Sequence, residues 1–251
     1  MFILFVSLIF FGDKTKPEFP RKPTLIVYAG AGLMKPMEEI CQRFGKDNRV
    51  EVRVNYGGSG ELLGQLSMGR TGDVFVPGAD KYIDDAKKNK WIIVPTITRL
   101  VKHVPVIAVG YGNPRKIKGL DDLMRPEITL ALGDPNACAI GRLAQDIFIK
   151  NGINSQIKAN TKVVTPTVNQ LLMYLLINQV DAAVIWEDMV SWSESRQKLS
   201  IVRINQEQNI IKTVSAAVIS GSLQPRAAEK LIKFMASDQG YAIWGKWGFG
   251  R

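Results

Sequence analysis

The sequence has few of the residues that most often bind metals or carry catalysis. Its 251 residues include two cysteines, Cys41 and Cys138, and one histidine, His103. Two cysteines do not make a disulfide framework, and we expect both to be free and buried. His103 has no second histidine or nearby acid at zinc-ligand spacing, so we expect no metal centre built on imidazole and no resident cofactor.

The sequence also has no fixed-period repeat and no low-complexity tract, which excludes solenoid and propeller folds. The apolar run over residues 1–11 is too short to span a bilayer as a helix but has the length of a signal-peptide core. Three prolines and several charged residues over 13–23 are typical of an extended linker. We interpret residues 1–23 as a signal peptide or membrane anchor plus linker, which predicts an exported protein, periplasmic or extracellular.

Acidic residues are fewer than basic ones, with 23 Asp and Glu against 33 Lys and Arg, which gives a formal net charge of +10. That charge favours an anionic partner: nucleic acid, an acidic membrane surface or a small oxyanion drawn into a cleft. The densest basic groups, residues 87–90 and 115–118, are short and lack the interleaved aromatics of a single-strand binding groove. We interpret them as solvated faces and expect no nucleic-acid partner.

From Thr24 onward, short apolar runs alternate with segments of helical period, which is the pattern of an α/β fold. Strands are predicted over 25–28, 50–54, 128–132 and 162–164, and each leads into a turn and then a helix. A composition of 46% hydrophobic residues is sufficient for one large domain or two lobes, and the pattern favours two α/β lobes.

Four small-residue turns fall between a predicted strand and the start of a predicted helix. They are Ala31-Gly32, Gly58-Ser59-Gly60, Ala139-Ile140-Gly141 and Thr167-Val168. A helix N-terminus presents unpaired backbone N–H groups and a partial positive charge, so several converging on one crevice make an anion site. Glycine lets the backbone approach a ligand closely, and Ser59 adds a hydroxyl donor.

An ordered series of motifs over residues 24–249 resembles the periplasmic molybdate/tungstate-binding proteins. The motifs are Val27-Tyr28-Ala29-Gly30-Ala31-Gly32-Leu33, Asn55-Tyr56-Gly57-Gly58-Ser59-Gly60-Glu61-Leu62-Leu63, Gly72-Asp73-Val74-Phe75-Val76-Pro77-Gly78-Ala79, Leu132-Gly133-Asp134-Pro135 with Ala139-Ile140-Gly141, Asp181-Ala182-Ala183-Val184-Ile185-Trp186, and Trp247-Gly248-Phe249. The resemblance implies a two-lobe type II periplasmic binding protein fold with the ligand cleft between the lobes.

The resemblance further implies that the protein binds molybdate or tungstate and delivers it to the permease subunits of an ABC transporter. One lobe would comprise residues 24–103 and 215–251, and the other residues 104–214. The crossovers near 104–109 and 213–219 would form a hinge that closes the lobes over the ligand. We expect the protein to act as a monomer.

Ligand contacts carried over from the family fall on six residues: Gly32, Ser59, Ala139, Ile140, Val168 and Trp186. Most would donate backbone N–H groups. Family members often have Ser or Thr at the position of Gly32 and Tyr at that of Trp186, so two hydroxyl donors are absent here. Trp186 could donate its indole N–H, wall the pocket or belong to the core.

The residues alone leave several alternatives to this function open. The ligand could be sulfate, phosphate, an organic anion or a metal complex, and Glu187 or Asp188 could contact it. Some transferases share the fold and could use Cys138, although no base stands beside it in the sequence. A transcription-factor effector domain would need a helix-turn-helix segment that is not evident here. We therefore expect a binding protein and not an enzyme.

Overall fold

A computed structural model describes residues 22–69, 71–192 and 194–250, whose ten strands form two five-stranded sheets. The first sheet contains β1 (Thr24–Gly30), β2 (Glu51–Gly57), β3 (Val74–Val76), β4 (Thr98–His103) and β10 (Lys212–Val218), in the order β2-β1-β3-β10-β4. The second contains β5 (Pro105–Gly110), β6 (Leu130–Gly133), β7 (Thr161–Thr165), β8 (Ala182–Trp186) and β9 (Leu199–Arg203), in the order β7-β6-β8-β5-β9.

The two sheets share one plan. In the first, β1 runs parallel to β2 and β3, while β10 runs antiparallel to β3 and β4. In the second, β6 runs parallel to β7 and β8, while β5 runs antiparallel to β8 and β9. The duplicated mixed sheet confirms the predicted two-lobed α/β architecture.

Helices join the parallel strands and cover the sheets. They are α1 (Met34–Asn48), α2 (Ser59–Gly69), α3 (Asp80–Lys88), α4 (Ala139–Lys150), α5 (Asn154–Asn160), α6 (Val168–Leu176), α7 (Pro225–Met235) and α8 (Asp238–Lys246). In the first lobe, Leu25 and Val27 of β1 are fully buried. Met37, Ile40 and Phe44 lie three or four residues apart on the buried face of α1. The helical period of the sequence therefore produces the core of this lobe.

The chain crosses between the sheets at two places. It passes from β4 to β5 at Val104 and returns over residues 204–211, between β9 and β10. The expected hinge segments are wrong in position, because residues 105–110 and 212–218 are hydrogen-bonded strands inside the sheets. The crossovers lie beside these strands. We propose that one lobe comprises residues 24–103 and 212–251 and the other residues 104–211; the boundary expected at 214/215 moves to 211/212 because β10 pairs within the first sheet from Lys212 onward.

Asp181 of the resemblance motif has a structural position. It precedes β8, and its carboxylate accepts hydrogen bonds from the Thr129 backbone N–H and hydroxyl, each at 2.8 Å, and from Arg115 Nε at 2.7 Å. Burial raises the pKa of this carboxyl, but the Arg115 and Thr129 donors outweigh it and hold the pKa below its usual range. Asp181 thus stabilises the start of β8, at the other end of the strand from Trp186.

The predicted leader lies mostly outside the described residues, since the structure begins at Lys22. Within the described ranges, none of the helices has both the length and the apolar character needed to cross a bilayer.

Candidate functional site

A narrow cavity lies between the two sheets, at the carboxyl ends of the parallel strands of both lobes. Its volume is only ≈ 10 Å³, and it is lined by Gly30, Ala31, Gly32, Gly57, Gly58, Ser59, Gly78, Cys138, Ala139, Ile140, Val168 and Trp186. All six residues singled out from the sequence line this cavity. It has room for about one water molecule, so a larger ligand enters only when the two walls move apart.

Three α-helices begin at the cavity. Helix α2 starts at Ser59, α4 at Ala139 and α6 at Val168, and all three residues line the cavity wall. Gly32 lies in the short 3₁₀ turn between β1 and α1. The first N–H groups of a helix have no intrahelical partner and carry partial positive charge, so the three helix ends direct positive potential into one space. Such an arrangement favours an anion.

Ser59 is buried at the first position of α2. Its Oγ accepts a hydrogen bond from the Gly78 backbone N–H at 3.0 Å. Because the oxygen serves as acceptor in that bond, the hydroxyl hydrogen remains able to donate to a ligand in the cavity. Ser59 therefore offers the one hydroxyl donor among the cavity-lining residues.

Trp186 ends β8 and is 2% exposed. Its indole N–H makes no hydrogen bond to any residue within 22–69, 71–192 or 194–250. The nitrogen would lie 3.3 Å from a Cβ atom added at Gly32, which is on the opposite wall of the cavity. The indole N–H therefore faces the cavity, where it is able to donate to a ligand acceptor.

Gly32 and Trp186 have complementary shapes. A Cβ atom at Gly32 would lie 2.9 Å from Trp186 Cδ1 and 3.2 Å from Val168 Cγ1, closer than ordinary van der Waals contact. The indole thus occupies the space into which a Ser or Thr side chain at position 32 would project. The residues at positions 32 and 186 are therefore sterically coupled: with the Trp186 indole in place, position 32 accommodates only glycine.

Gly58 and Gly60 contact the other lobe. A Cβ atom at Gly58 would collide with the carbonyl oxygens of Ala137 and Pro166, and one at Gly60 would collide with that of Asn136. The Gly60 N–H also donates to the Ala137 carbonyl oxygen at 2.9 Å. These glycines permit close approach of the two lobes, and Gly58 also lines the cavity, where the sequence predicts that a glycine lets the backbone approach a ligand.

Glu187 and Asp188 do not line the cavity. The Glu187 carboxylate accepts hydrogen bonds from Arg203 Nε at 3.1 Å and Nη2 at 2.8 Å. The Asp188 carboxylate is buried, with Oδ1 at 3.2 Å from His103 Nε2. Burial raises the pKa of the Asp188 carboxyl, and the contact with His103 works in the opposite direction. In this structure neither carboxylate is placed to contact a ligand in the cavity.

Cys138 lines the cavity but is not suited to nucleophilic chemistry. Burial raises the pKa of its thiol to about 11, although the backbone N–H groups of Gly141 and Ile140 act to lower it. At neutral pH the group is therefore the thiol, and the thiolate is the nucleophile. Within the described ranges there is also no group of three or more His, Cys, Asp or Glu residues able to hold a metal ion.

His103 lies behind the cavity and Gly78 lines it, but neither is among the six ligand contacts predicted from the sequence. The His103 imidazole stacks on the Trp186 indole, with ring centroids 3.6 Å apart and planes 12° apart. Its Nδ1 lies 2.8 Å from the Gly78 carbonyl oxygen. Gly78 belongs to one of the motifs of the family resemblance, but the contact of His103 with Gly78 and Trp186 depends on tertiary structure.

Comparisons with known proteins agree on a family. The family model for bacterial extracellular solute-binding proteins matches residues 25–250. A protein of Haemophilus influenzae, named as a binding protein without a stated ligand, is 32% identical over 228 residues, which cover 90% of each chain. The molybdate-binding protein of Mycobacterium bovis is 25% identical over an alignment of 256 residues, which covers 99% of this chain and 95% of that one.

Solved structures share the fold. The periplasmic molybdate-binding protein of Azotobacter vinelandii superposes with a TM-score of 0.79 at 14% identity, over 90% of this chain and 99% of its own. The sulfate-binding protein of Mycobacterium tuberculosis superposes with a TM-score of 0.80 at 17% identity, over 90% of this chain and 86% of its own. Both confirm the two-lobed fold of periplasmic binding proteins.

Proposed function

The chain belongs to the family of bacterial extracellular solute-binding proteins, and on that premise we propose that it captures molybdate or tungstate between its two lobes. It is a binding protein and not an enzyme. In this proposal the protein acts as a monomer outside the cytoplasm and delivers the anion to the permease subunits of an ABC transporter. The 25% identity to the molybdate-binding protein of Mycobacterium bovis supports the choice of ligand.

The convergence of neutral donors on a buried cavity carries this proposal. The ends of three helices, the Ser59 hydroxyl and the Trp186 indole N–H all meet there, and none of the described residues that line the wall has a charged side chain. An anion removed from water needs hydrogen bonds on its oxygens, and fixed N–H groups supply them without reorganisation. The net charge of +10 would attract the anion to the cleft rather than bind it.

The absence of a carboxylate among the cavity-lining residues favours an anion that carries no proton. Molybdate, tungstate and sulfate have only acceptor oxygens near neutral pH. Phosphate retains a proton on much of its population there, and that proton would enter the cavity as a donor facing other donors. We therefore expect phosphate to be the weakest of the four ligands.

The coupled pair of Gly32 and Trp186 favours a second candidate, in which the transport role is the same but the ligand differs. Replacing hydroxyl donors by one larger indole reduces the number of donors and changes the cavity shape. Sulfate is smaller than molybdate and needs no extra donor. An organic anion or a metal complex would require the walls to move further apart than a tetrahedral oxyanion does.

Isothermal titration calorimetry of the full chain tests the proposal, with molybdate, tungstate, sulfate and phosphate titrated in turn. We expect tight binding of the first two, weaker binding of sulfate and little response to phosphate. Sulfate binding more tightly than molybdate would establish the second candidate. Absence of a binding signal for all four anions would refute oxyanion binding.

Two tryptophan variants test the site itself. Trp186→Phe removes the indole N–H that faces the cavity and should weaken binding by about tenfold to a hundredfold, the loss of one hydrogen bond to a charged group. Trp192→Phe is the matched control, because Trp192 is also buried, its N–H is also unpaired among the described residues, and it does not line the cavity. Equal effects of the two changes would remove Trp186 from the ligand contacts.

A further inference from the structure

His103 lies behind the cavity, at the end of β4, and is 1% exposed. It does not line the cavity, but it is linked to both side chains that offer donors there. It contacts Trp186 directly, and it is connected to Ser59 by hydrogen bonds through Gly78. Its ring stacks on Trp186. Its Nδ1 bonds to the Gly78 carbonyl oxygen, and the Gly78 N–H in turn bonds to Ser59 Oγ.

The hydrogen-bond partners fix the orientation of the His103 ring. The Gly78 carbonyl oxygen can only accept, so Nδ1 must carry a hydrogen. On the other edge of the ring, Nε2 lies 3.2 Å from Asp188 Oδ1, at ion-pair distance but without a well-aligned hydrogen bond. The bond to Gly78 therefore sets the orientation of the imidazole, and the Asp188 carboxylate lies against the opposite edge of the ring.

The contact also joins the two lobes. His103 ends β4 and Gly78 follows β3 of the first sheet, while Trp186 ends β8 of the second sheet and Asp188 follows it. Phe249, near the chain end, packs on the same imidazole with ring centroids 5.3 Å apart. A rigid aromatic group therefore fills the space directly behind the cavity.

We propose that His103 is the positioning residue of the anion site: it holds the Trp186 indole N–H by stacking and the Ser59 hydroxyl by way of Gly78. This inference rests on the proposed function, because the two donors matter only if an oxyanion binds between them. His103 touches no ligand itself. Supporting groups behind ligand-contacting residues commonly change metal affinity by tenfold to a hundredfold when they are removed, and we expect a loss of similar size here, about tenfold or more.

The single histidine allows a direct test in the unmodified protein. The full chain, labelled with ¹³C,¹⁵N-histidine and purified without a polyhistidine tag, gives one imidazole spin system in an NMR spectrum. We expect a hydrogen on Nδ1 and ring-proton shifts displaced by the indole, a displacement that Trp186→Leu removes. Addition of molybdate should move the same signals. Imidazole shifts typical of an exposed histidine would overturn the inference.

Two substitutions separate the two contacts of His103. His103→Phe keeps a ring against Trp186 and loses the bond to Gly78, whereas His103→Asn keeps a donor near Gly78 and loses the ring. Each should weaken molybdate binding about tenfold in calorimetry. The loss of affinity caused by His103→Asn should be smaller when Trp186 is already replaced by Phe. The loss of affinity caused by His103→Phe should be smaller when Ser59 is already replaced by Ala.

A merely structural role would give the same fold-loss in every background, and that result would overturn the positioning inference. Thermal unfolding of each variant checks that it folds, and the NMR measurement on the wild-type chain does not depend on any variant. If wild-type protein binds none of the four anions, the proposed function fails and the inference fails with it. If wild-type protein binds and both His103 variants bind equally well, only the inference fails.

Discussion

Substitution of Gly60 by alanine should prevent closure of the lobes while leaving the cavity-lining residues intact. An added Cβ atom would collide with the Asn136 carbonyl oxygen and lie 2.9 Å from its carbonyl carbon and 3.2 Å from Ala137 Cα, whereas ordinary contact begins at 3.4 Å. These neighbours are backbone atoms of the other lobe and cannot rotate away. The lobes must instead separate at this point.

The magnitude follows from two contributions to the closed state. Overpacking costs about 1–3 kcal/mol. Separation also breaks the bond from the Gly60 N–H to the Ala137 carbonyl oxygen, worth about 1 kcal/mol. A total of about 2–4 kcal/mol corresponds to binding that is about 30-fold to about 1,000-fold weaker. The open state does not contain the collision, so the change acts on closure.

Gly64→Ala provides the matched control. Gly64 lies one turn further along α2, and no atom lies within 4 Å of a Cβ added there. Both substitutions raise helix propensity, by about 0.5–1 kcal/mol, so neither should lower the thermal midpoint of the ligand-free protein. Calorimetry with molybdate should therefore separate them, and small-angle scattering should show ligand-induced compaction for Gly64→Ala only. Equal affinities for the two variants would refute the assignment of Gly60 to lobe closure.

Three further outcomes are expected. Ser59→Ala should weaken anion binding by about 1–3 kcal/mol and also lower the thermal midpoint, because it leaves the Gly78 N–H unpaired; unchanged affinity in calorimetry would exclude the hydroxyl from the site. Cys41 and Cys138 should resist a thiol reagent at pH 7 until the protein is unfolded, because burial raises the pKa of the first to about 12 and of the second to about 11; rapid labelling of the native protein would contradict this. Asp181→Asn should destabilise the protein by about 1–2 kcal/mol at pH 7. Since the folded-state pKa of Asp181 is lowered, its contribution to the free energy of unfolding is present above about pH 4 and disappears as the pH falls through the lowered pKa. Urea unfolding curves of the variant and the wild type should therefore converge in acid. A stability difference that stays constant with pH would contradict the pairing of Asp181 with Arg115 and Thr129.

The central strands and the cavity could be predicted because their signals are local. Buried parallel strands such as β1 and β8 are short apolar runs, and the residues after them start helices. The carboxyl ends of parallel strands meet along one edge of a sheet, so turn residues far apart in sequence gather there. That rule places Gly32, Ser59 and Val168 around one space.

Two of the four edge strands, β4 and β9, are not predicted from the sequence. Each lies at the end of a sheet and pairs on one side only. Their buried residues are interrupted by polar and charged side chains such as Arg99 and Arg203, so they do not form a continuous apolar run. Helix α3 was also missed, because its apolar face consists of only Tyr82, Ile83 and Ala86 among charged residues. Tertiary pairing decides these segments.

The roles of individual residues beyond the cavity wall could not be read from the sequence. The sequence predicts that glycines of these turns let the backbone approach a ligand, and Gly58 does line the cavity, but Gly58 and Gly60 also lie against carbonyl groups of the other lobe. From the sequence, His103 is considered only as a metal ligand, whereas its partners come from two other segments: Gly78 follows β3, and Trp186 and Asp188 lie at the end of β8. Contacts of this kind arise only when the lobes pack together, and no local pattern encodes them.

Co-crystallisation of the full chain with tungstate, followed by anomalous diffraction at a tungsten absorption edge, tests the central claim most directly. Our account predicts one strong anomalous peak in the cavity, with oxygen atoms within hydrogen-bond distance of Ser59 Oγ, Trp186 Nε1 and the backbone N–H groups at the start of α6. A peak confined to surface lysines, or no peak in crystals grown with excess tungstate, would contradict it.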